Sequence, residues 1–330
     1  MKTYLLDFVS PVHFSNARPN FYEQSETILR SDTIVAAIIS VLANYGTSAD
    51  KLQQLQENLC LSSAYPYTLK GGRVHYFFPR VQTLLRMGPS IENKTGPFRK
   101  QIKNIEWLDQ DSFEKQLAGE VLFDDLSALE DWLESNDQLS FFERKVVQRV
   151  QVPRTLDSEK KPEPYFFERF FFRENCGLFF IVKDLEETQE KELELALQIL
   201  QHEGFGTDRR VGNGQFKLRK SKIDLRIKKS PYATNLGLFC PENKTQLDSF
   251  LPEEDSSIAF SLIKRGGWMG IDGFLSKHKK SIYMFSEGGV FKTAQQSAGK
   301  ASIDLSPVES PNPIWRNGKT IFLPITLNYE

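Results

Sequence analysis

Residues 204–216 read GFGTDRRVGNGQF: four glycines and two arginines within thirteen positions. Before them, EETQEKELELALQILQHEG (186–204) spaces apolar residues for an amphipathic helix that Gly204 closes. After them, FKLRKSKIDLRIKK (216–229) reads as a basic strand. A single glycine would suffice to end the helix, so four in this turn point to a backbone that must bend sharply or approach something closely. The phosphate loop of nucleotide-binding proteins needs GxxxxGK[ST], and no Lys-Ser/Thr stands at the required place. A dinucleotide fingerprint runs from strand to helix; here the order is helix to strand. No HRD or DFG segment accompanies the loop, which removes a kinase-type reading. What remains is an anion cradle built from amides and the guanidinium groups of Arg209 and Arg210.

Charge patterning lengthens that cradle. Residues 207–229 hold nine basic residues against Asp208 and Asp224, whereas 109–137 hold ten acidic residues against Lys115. The total charge of −1 therefore conceals one positive and one negative stretch. A single phosphate does not require a positive track of that length; a polynucleotide backbone does.

Working outward, TYLLDFV (3–9) predicts an opening strand, and Ser31-Asp32 as a cap before TIVAAIISVLANYG, with Gly46 at its end, predicts a buried helix over 32–45. A second helix is expected at 49–58, strands in SSAYPYTLKGGRVHYFFP (62–79), and short helices near 111–118 and 124–135. RKVVQRVQVPRTLDSEKKPEPYFFERFFFR (144–173) predicts a hairpin with a charged, Pro-rich tip and few core contacts, mobile without a ligand. CGLFFIVKD (176–184) is a buried strand. Strand, helix, strands, helix, strand gives an α+β, ferredoxin-like βαββαβ unit with insertions over 1–229. Four Gly/Pro-punctuated strand patterns after Pro231 give a smaller β-rich domain over 230–330.

Several stretches together resemble the RAMP proteins of CRISPR systems, and within them the Csm-type subunit four of type III-A effector complexes. They are SPVHF (10–14), SDTIVAAIISVLANYG (31–46), SSAYPY (62–67), YFFPRV (76–81), RVQVPRTLDS (149–158), the glycine loop, KRGGWMG (264–270), KKSIYMFSEGGVF (279–291) and RNGKTIFLPI (316–325). The resemblance implies a ferredoxin-like (RRM-like) RAMP domain with a β-hairpin thumb at about 144–173 and a second, smaller ferredoxin-like domain. It implies a subunit that is not an enzyme and that binds the repeat-derived 5′ tag of crRNA. Its partners would be the large polymerase/cyclase-domain subunit and the backbone RAMP subunit. On this chain the tag-binding role falls to Gly204, Gly206, Thr207, Arg209, Arg210, Gly212, Gly214 and Lys217. The thumb's displacement of a nucleotide at the tag–guide junction falls to the hairpin tip around Val150–Thr155, with Arg149 and Arg154. His13 is placed as a further RNA contact.

The alternative is a RAMP endoribonuclease that processes repeat RNA with His13 as acid or base, although no second group with a tuned pKa is evident. His75 is expected to pack among aromatics, His202 to end a helix and His278 to lie on the surface. No metal-ligand spacing and no cofactor motif is present. Cys60, Cys176 and Cys240 form no CxxC pair, there is no membrane-length apolar run, and the N-terminal apolar stretch is too short for a secretory signal. The expectation is a cytoplasmic protein away from membranes.

Overall fold

A computed structural model describes residues 1–15, 23–89, 91, 96–137, 140–151, 163–183, 185–269, 277–308, 310 and 313–327. In chain order the first part contains β1 (Lys2–Phe8), α1 (Ser31–Asn44), α2 (Ala49–Asn58), β2 (Tyr65–Lys70), β3 (Arg73–Pro79), α3 (Arg99–Asn104), β4 (Trp107–Asp109), α4 (Gln110–Ala118), α5 (Leu126–Asp137), β5 (Phe142–Gln151), β6 (Glu163–Phe172), β7 (Cys176–Val182), α6 (Glu187–Glu203) and β8 (Phe216–Lys222). Six of these strands form one antiparallel sheet in the order β4-β3-β2-β7-β1-β8. Its β2-β7-β1-β8 portion, with α1 and α6 as crossovers, is the ferredoxin-like arrangement, and β3 and β4 extend the β2 edge.

Alternation along the central strands sends side chains to two cores. Tyr4, Leu6, Leu178, Phe180 and Val182 pack with Ile34, Ile38, Leu193 and Leu197 of the two helices. Leu5, Phe179 and Ile181 face the other way, onto Phe113 and Leu117 of α4, Leu129 and Leu133 of α5, and Leu236, Leu323 and Ile325 from the second half. Both faces of the sheet are thus covered, which is why CGLFFIV is apolar without interruption. Burying each such aromatic or aliphatic side chain contributes roughly 1.5–3 kcal/mol. The consequence for function is that the sheet face cannot serve as an open stacking platform.

β5 and β6 pair as the expected hairpin, from Phe142↔Phe172 outward, but its base is not loose. Phe170 and Phe167 are buried, and Val12 and Phe170 exchange backbone hydrogen bonds of 2.9 Å. The expectation of few core contacts is corrected for this base. The tip, with Arg154 and Thr155, lies outside the described residues.

The cap expected from Ser31-Asp32 is also corrected. Arg30 is the N-cap, with no side-chain capping bond, and Asp32 lies inside the first turn. Its carboxylate meets Arg265 and Arg316, and the Ser31 hydroxyl accepts from the Leu238 amide. Both residues therefore join α1 to the second half.

That half contains β9 (Tyr232–Asn235), α7 (Lys244–Phe250), β10 (Leu262–Arg265), β11 (Ile282–Phe285), β12 (Val290–Lys292), β13 (Ser297–Ala298), β14 (Ile303–Asp304), β15 (Trp315–Arg316) and β16 (Thr320–Pro324). The β16-β9-β12 order, with Ala259 bridging to Val290 beyond β12, repeats the strand order of the first half in abbreviated form. Phe239 anchors it, within 5.2–5.7 Å of the rings of Phe250, Phe285, Phe291 and Phe322.

Candidate nucleic-acid interface

The glycine stretch leaves α6 through Gly204, at φ +83°, whose amide donates to Leu200. Its two feet then lock together. The Phe205 amide donates to Gly214 O at 2.9 Å, the Gly214 amide to Pro11 O at 2.8 Å and the Thr207 amide to His13 O at 3.0 Å. A Cβ on Gly204, Gly206 or Gly214 would lie 2.4, 2.5 or 1.9 Å from the carbonyl oxygens of Asn213, His13 and Phe205. These glycines are needed because the loop closes on itself and on the segment after β1. The expectation that Gly204 and Gly214 present bare backbone to a ligand is therefore corrected: both are buried. The Thr207 amide is likewise already used.

The tip is the exposed part of the loop. Arg209, Arg210 and Val211 form a single exposed 3-10 turn, ended by Gly212 at φ +86° with open space around it. Among the described residues, the amides of Asp208, Arg209 and Arg210 take no partner. Arg209 lies 3.8 Å from Glu203, and Arg210 has no carboxylate within ion-pair distance among the described residues.

The hairpin supplies the facing wall. Cross-strand register puts Lys145, Val147 and Arg149 of β5 and Tyr165, Phe167 and Arg169 of β6 on one face. Arg149 lies 5.0 Å and Arg169 5.7 Å from the centre of the Phe167 ring, while Lys145 lies 5.2 Å from that of Phe171. Such contacts hold cations over rings without discharging them. Arg149 also pairs with Asp208 on the loop, joining hairpin to tip. Lys145 and Arg169 were not singled out from the sequence. The signal was present as alternate spacing, but it needed the register to place them on the Arg149 face.

His13 lies behind this face, not on it. It is wholly buried; its Nδ1 donates to Glu168 O at 2.8 Å, its ring centre is 4.5 Å from that of Phe167, and its own carbonyl receives the Thr207 amide. Burial lowers its pKa, outweighing the opposite pull of the Glu168 carbonyl. The placement of His13 as an RNA contact is corrected: it pins hairpin to loop. His75, expected to be packed, is exposed on β3. Among the described residues no cluster of metal-ligating side chains occurs and no helix is long and apolar enough to cross a membrane.

The long positive track is shorter than the sequence implied. Arg219 forms a two-pronged pair with Asp7 at 2.6 and 2.8 Å, and Lys220 meets Glu194. Arg226 meets Glu114 and Asp111, and Lys228 meets Glu120. Part of the acidic stretch 109–137 is thus matched inside the chain. Lys217 and Lys222 on β8 remain outside ion pairs among the described residues, and Lys217 is exposed close to the loop. What survives is a local basic surface of loop tip, start of β8 and hairpin face, where Lys145 lies 3.3 Å from Glu143 and Arg149 is held by Asp208.

Comparison with known proteins finds relatives of the chain and of its fold. The RAMP superfamily model matches residues 5–217, and the model of the CRISPR Csm4 C-terminal domain matches residues 228–325. A "CRISPR system Cms protein Csm4" from Thermococcus onnurineus is 23% identical over 292 residues, 84% of this chain and 87% of that protein. One of the same description from Methanocaldococcus jannaschii is 26% identical over 170 residues, 47% of this chain and 44% of that protein, so the chain spans under half of that relative's length. Among solved structures, a chain of a Csm3-Csm4 subcomplex from a type III-A CRISPR-Cas interference complex superposes with a TM-score of 0.62 at 18% identity, covering 99% of this chain and 100% of that one. A chain of a Csm1-Csm4 cassette in complex with cA4 gives 0.62 at 17%, covering 100% and 99%.

Proposed function

Because this chain belongs to the RAMP superfamily and carries a Csm4 C-terminal domain, we propose that it is the subunit of a type III-A CRISPR effector complex that holds the 5′ tag of crRNA. In this reading residues 1–229 are the RAMP domain and 230–330 the second domain. The partners are the large polymerase/cyclase-domain subunit and the backbone RAMP subunit, the setting is the cytoplasm, and the chain performs no chemistry of its own. The observation that carries it is the Arg149–Asp208 pair, which ties the hairpin face of Lys145, Arg149 and Arg169 to the loop that exposes Arg209 and Arg210. Guanidinium groups pair with phosphate oxygens in a planar fork, and the buried Phe167 ring beneath Arg149 and Arg169 holds two of them in place. Lys217 extends the surface along β8.

A structural role fits His13 better than catalysis does. A general acid or base must reach the proton it moves, and this imidazole is enclosed, with Nδ1 already committed. The test is co-expression with the neighbouring subunits, followed by sequencing of the RNA that co-purifies. A single defined 5′ end in the repeat-derived segment is expected. RNA with scattered ends, or none, overturns the proposal.

A further inference from the structure

We propose that Asp208 is a built-in competitor for RNA: its carboxylate holds the Arg149 guanidinium in the free protein, and a phosphodiester must displace it. The inference rests on the RNA-binding reading above and adds a residue that sets how readily the site accepts its ligand.

Three observations converge on this pair. First, Asp208 stands in the left-handed region at φ +60°, in a loop where every other positive-φ residue is glycine. Asp is among the few non-glycine residues that enter that region and a glycine would do so without steric penalty, so the conformation permits a carboxylate here but does not require one. Second, the pair is only partly enclosed, with side-chain exposures of 25% for Arg149 and 30% for Asp208. An incoming strand can therefore reach both groups. Third, the cationic surroundings exceed what one carboxylate balances. Arg149 and Arg169 share the Phe167 ring, and the buried Arg169 Nε has no hydrogen-bond partner among the described residues. Among the described residues, the amides of Asp208, Arg209 and Arg210 also take no partner. Donors of this kind, around a single anionic oxygen pair, match what a phosphate oxygen pair requires. Asp208 supplies that anion from within the chain. Binding RNA then exchanges one ion pair for another, so stray polyanions are held weakly, while an RNA engaging tip and hairpin together overcomes the exchange.

The test is Asp208→Asn in the 330-residue chain, with affinity for a short single-stranded RNA of repeat sequence read by fluorescence anisotropy. Asparagine keeps the size and tolerates the left-handed backbone, so the loop is retained. The competitor predicts roughly three- to fivefold tighter binding at moderate salt, the scale of one exposed ion pair. That gain should vanish when Arg149→Ala is added. Binding that is unchanged or weaker in Asp208→Asn, with wild-type binding intact, overturns the competitor and leaves the RNA reading standing. Failure of both proteins to bind RNA overturns both.

Discussion

The wholly buried Asp32 carboxylate accepts hydrogen bonds of 2.9 and 3.0 Å from Arg265, joining the first turn of α1 to β10 of the second half. Arg316 adds a second guanidinium. Burial alone would raise this carboxyl, but the charges of Arg265 and Arg316 outweigh it and hold the pKa well below the usual carboxylate range. Asp32→Asn leaves two enclosed cations unopposed and should cost about 3–5 kcal/mol of stability. Urea denaturation measures it; an unchanged midpoint would mean that the pair does not tie the two halves together.

Gly212 and Gly214 separate conformational cost from packing cost. Both have positive φ, but only at Gly214 would a Cβ strike the backbone, 1.9 Å from Phe205 O. Gly212→Ala should cost about 1–2 kcal/mol from the left-handed backbone alone. Gly214→Ala should cost clearly more and weaken RNA binding, because the feet of the loop must part. Equal melting temperatures for the two variants would contradict the locked-feet geometry.

His13 gives a pH dependence of defined sign. Burial places its folded pKa below the ordinary 6.5, so below that pH the unfolded chain binds more protons than the folded one. The stabilisation is fully present above 6.5 and declines as pH falls through it. Urea midpoints of the wild type should drop over this range relative to His13→Gln. Parallel pH curves for the two proteins would show that the imidazole is not held neutral in the fold.

The hairpin should show a gradient in amide exchange. Val12 and Phe170 bond to each other beside a closed core, whereas Val146 and Val150 are 58% and 55% exposed further out. Exchange at the first pair should require global unfolding, and exchange near Val146 only local opening. Added RNA should slow only the outer positions. Uniform protection along β5 in the free protein would contradict this.

Local patterns in the sequence carried the sheet and its helices. The apolar run of α1, the uninterrupted CGLFFIV of β7 and the Val/Gln alternation of β5 each read correctly, because burial periodicity is a local property. Pairings across long sequence separations did not read. The spacing of Gly204, Gly206 and Gly214 answers to their own loop and to carbonyls near residue 13, so it resembled a ligand cradle. Counting charges along 207–229 could not see Asp7, Glu114 or Glu194 folding back onto Arg219, Arg226 and Lys220. Ser31-Asp32 looked like a cap because capping and ion pairing draw on the same residue types. The cap of α7 was legible and passed over: Asn243 accepts from the Gln246 amide at 2.9 Å, but PENK reads first as a turn.

The central claim is that the exposed arginines of the glycine loop hold the RNA backbone. Its most direct test is the salt dependence of RNA affinity for wild type and for Arg209→Ala/Arg210→Ala. If both guanidinium groups neutralise phosphates, the double variant binds more weakly and its log–log slope is shallower by roughly one unit per arginine removed. A slope equal to that of the wild type would mean that the RNA lies elsewhere.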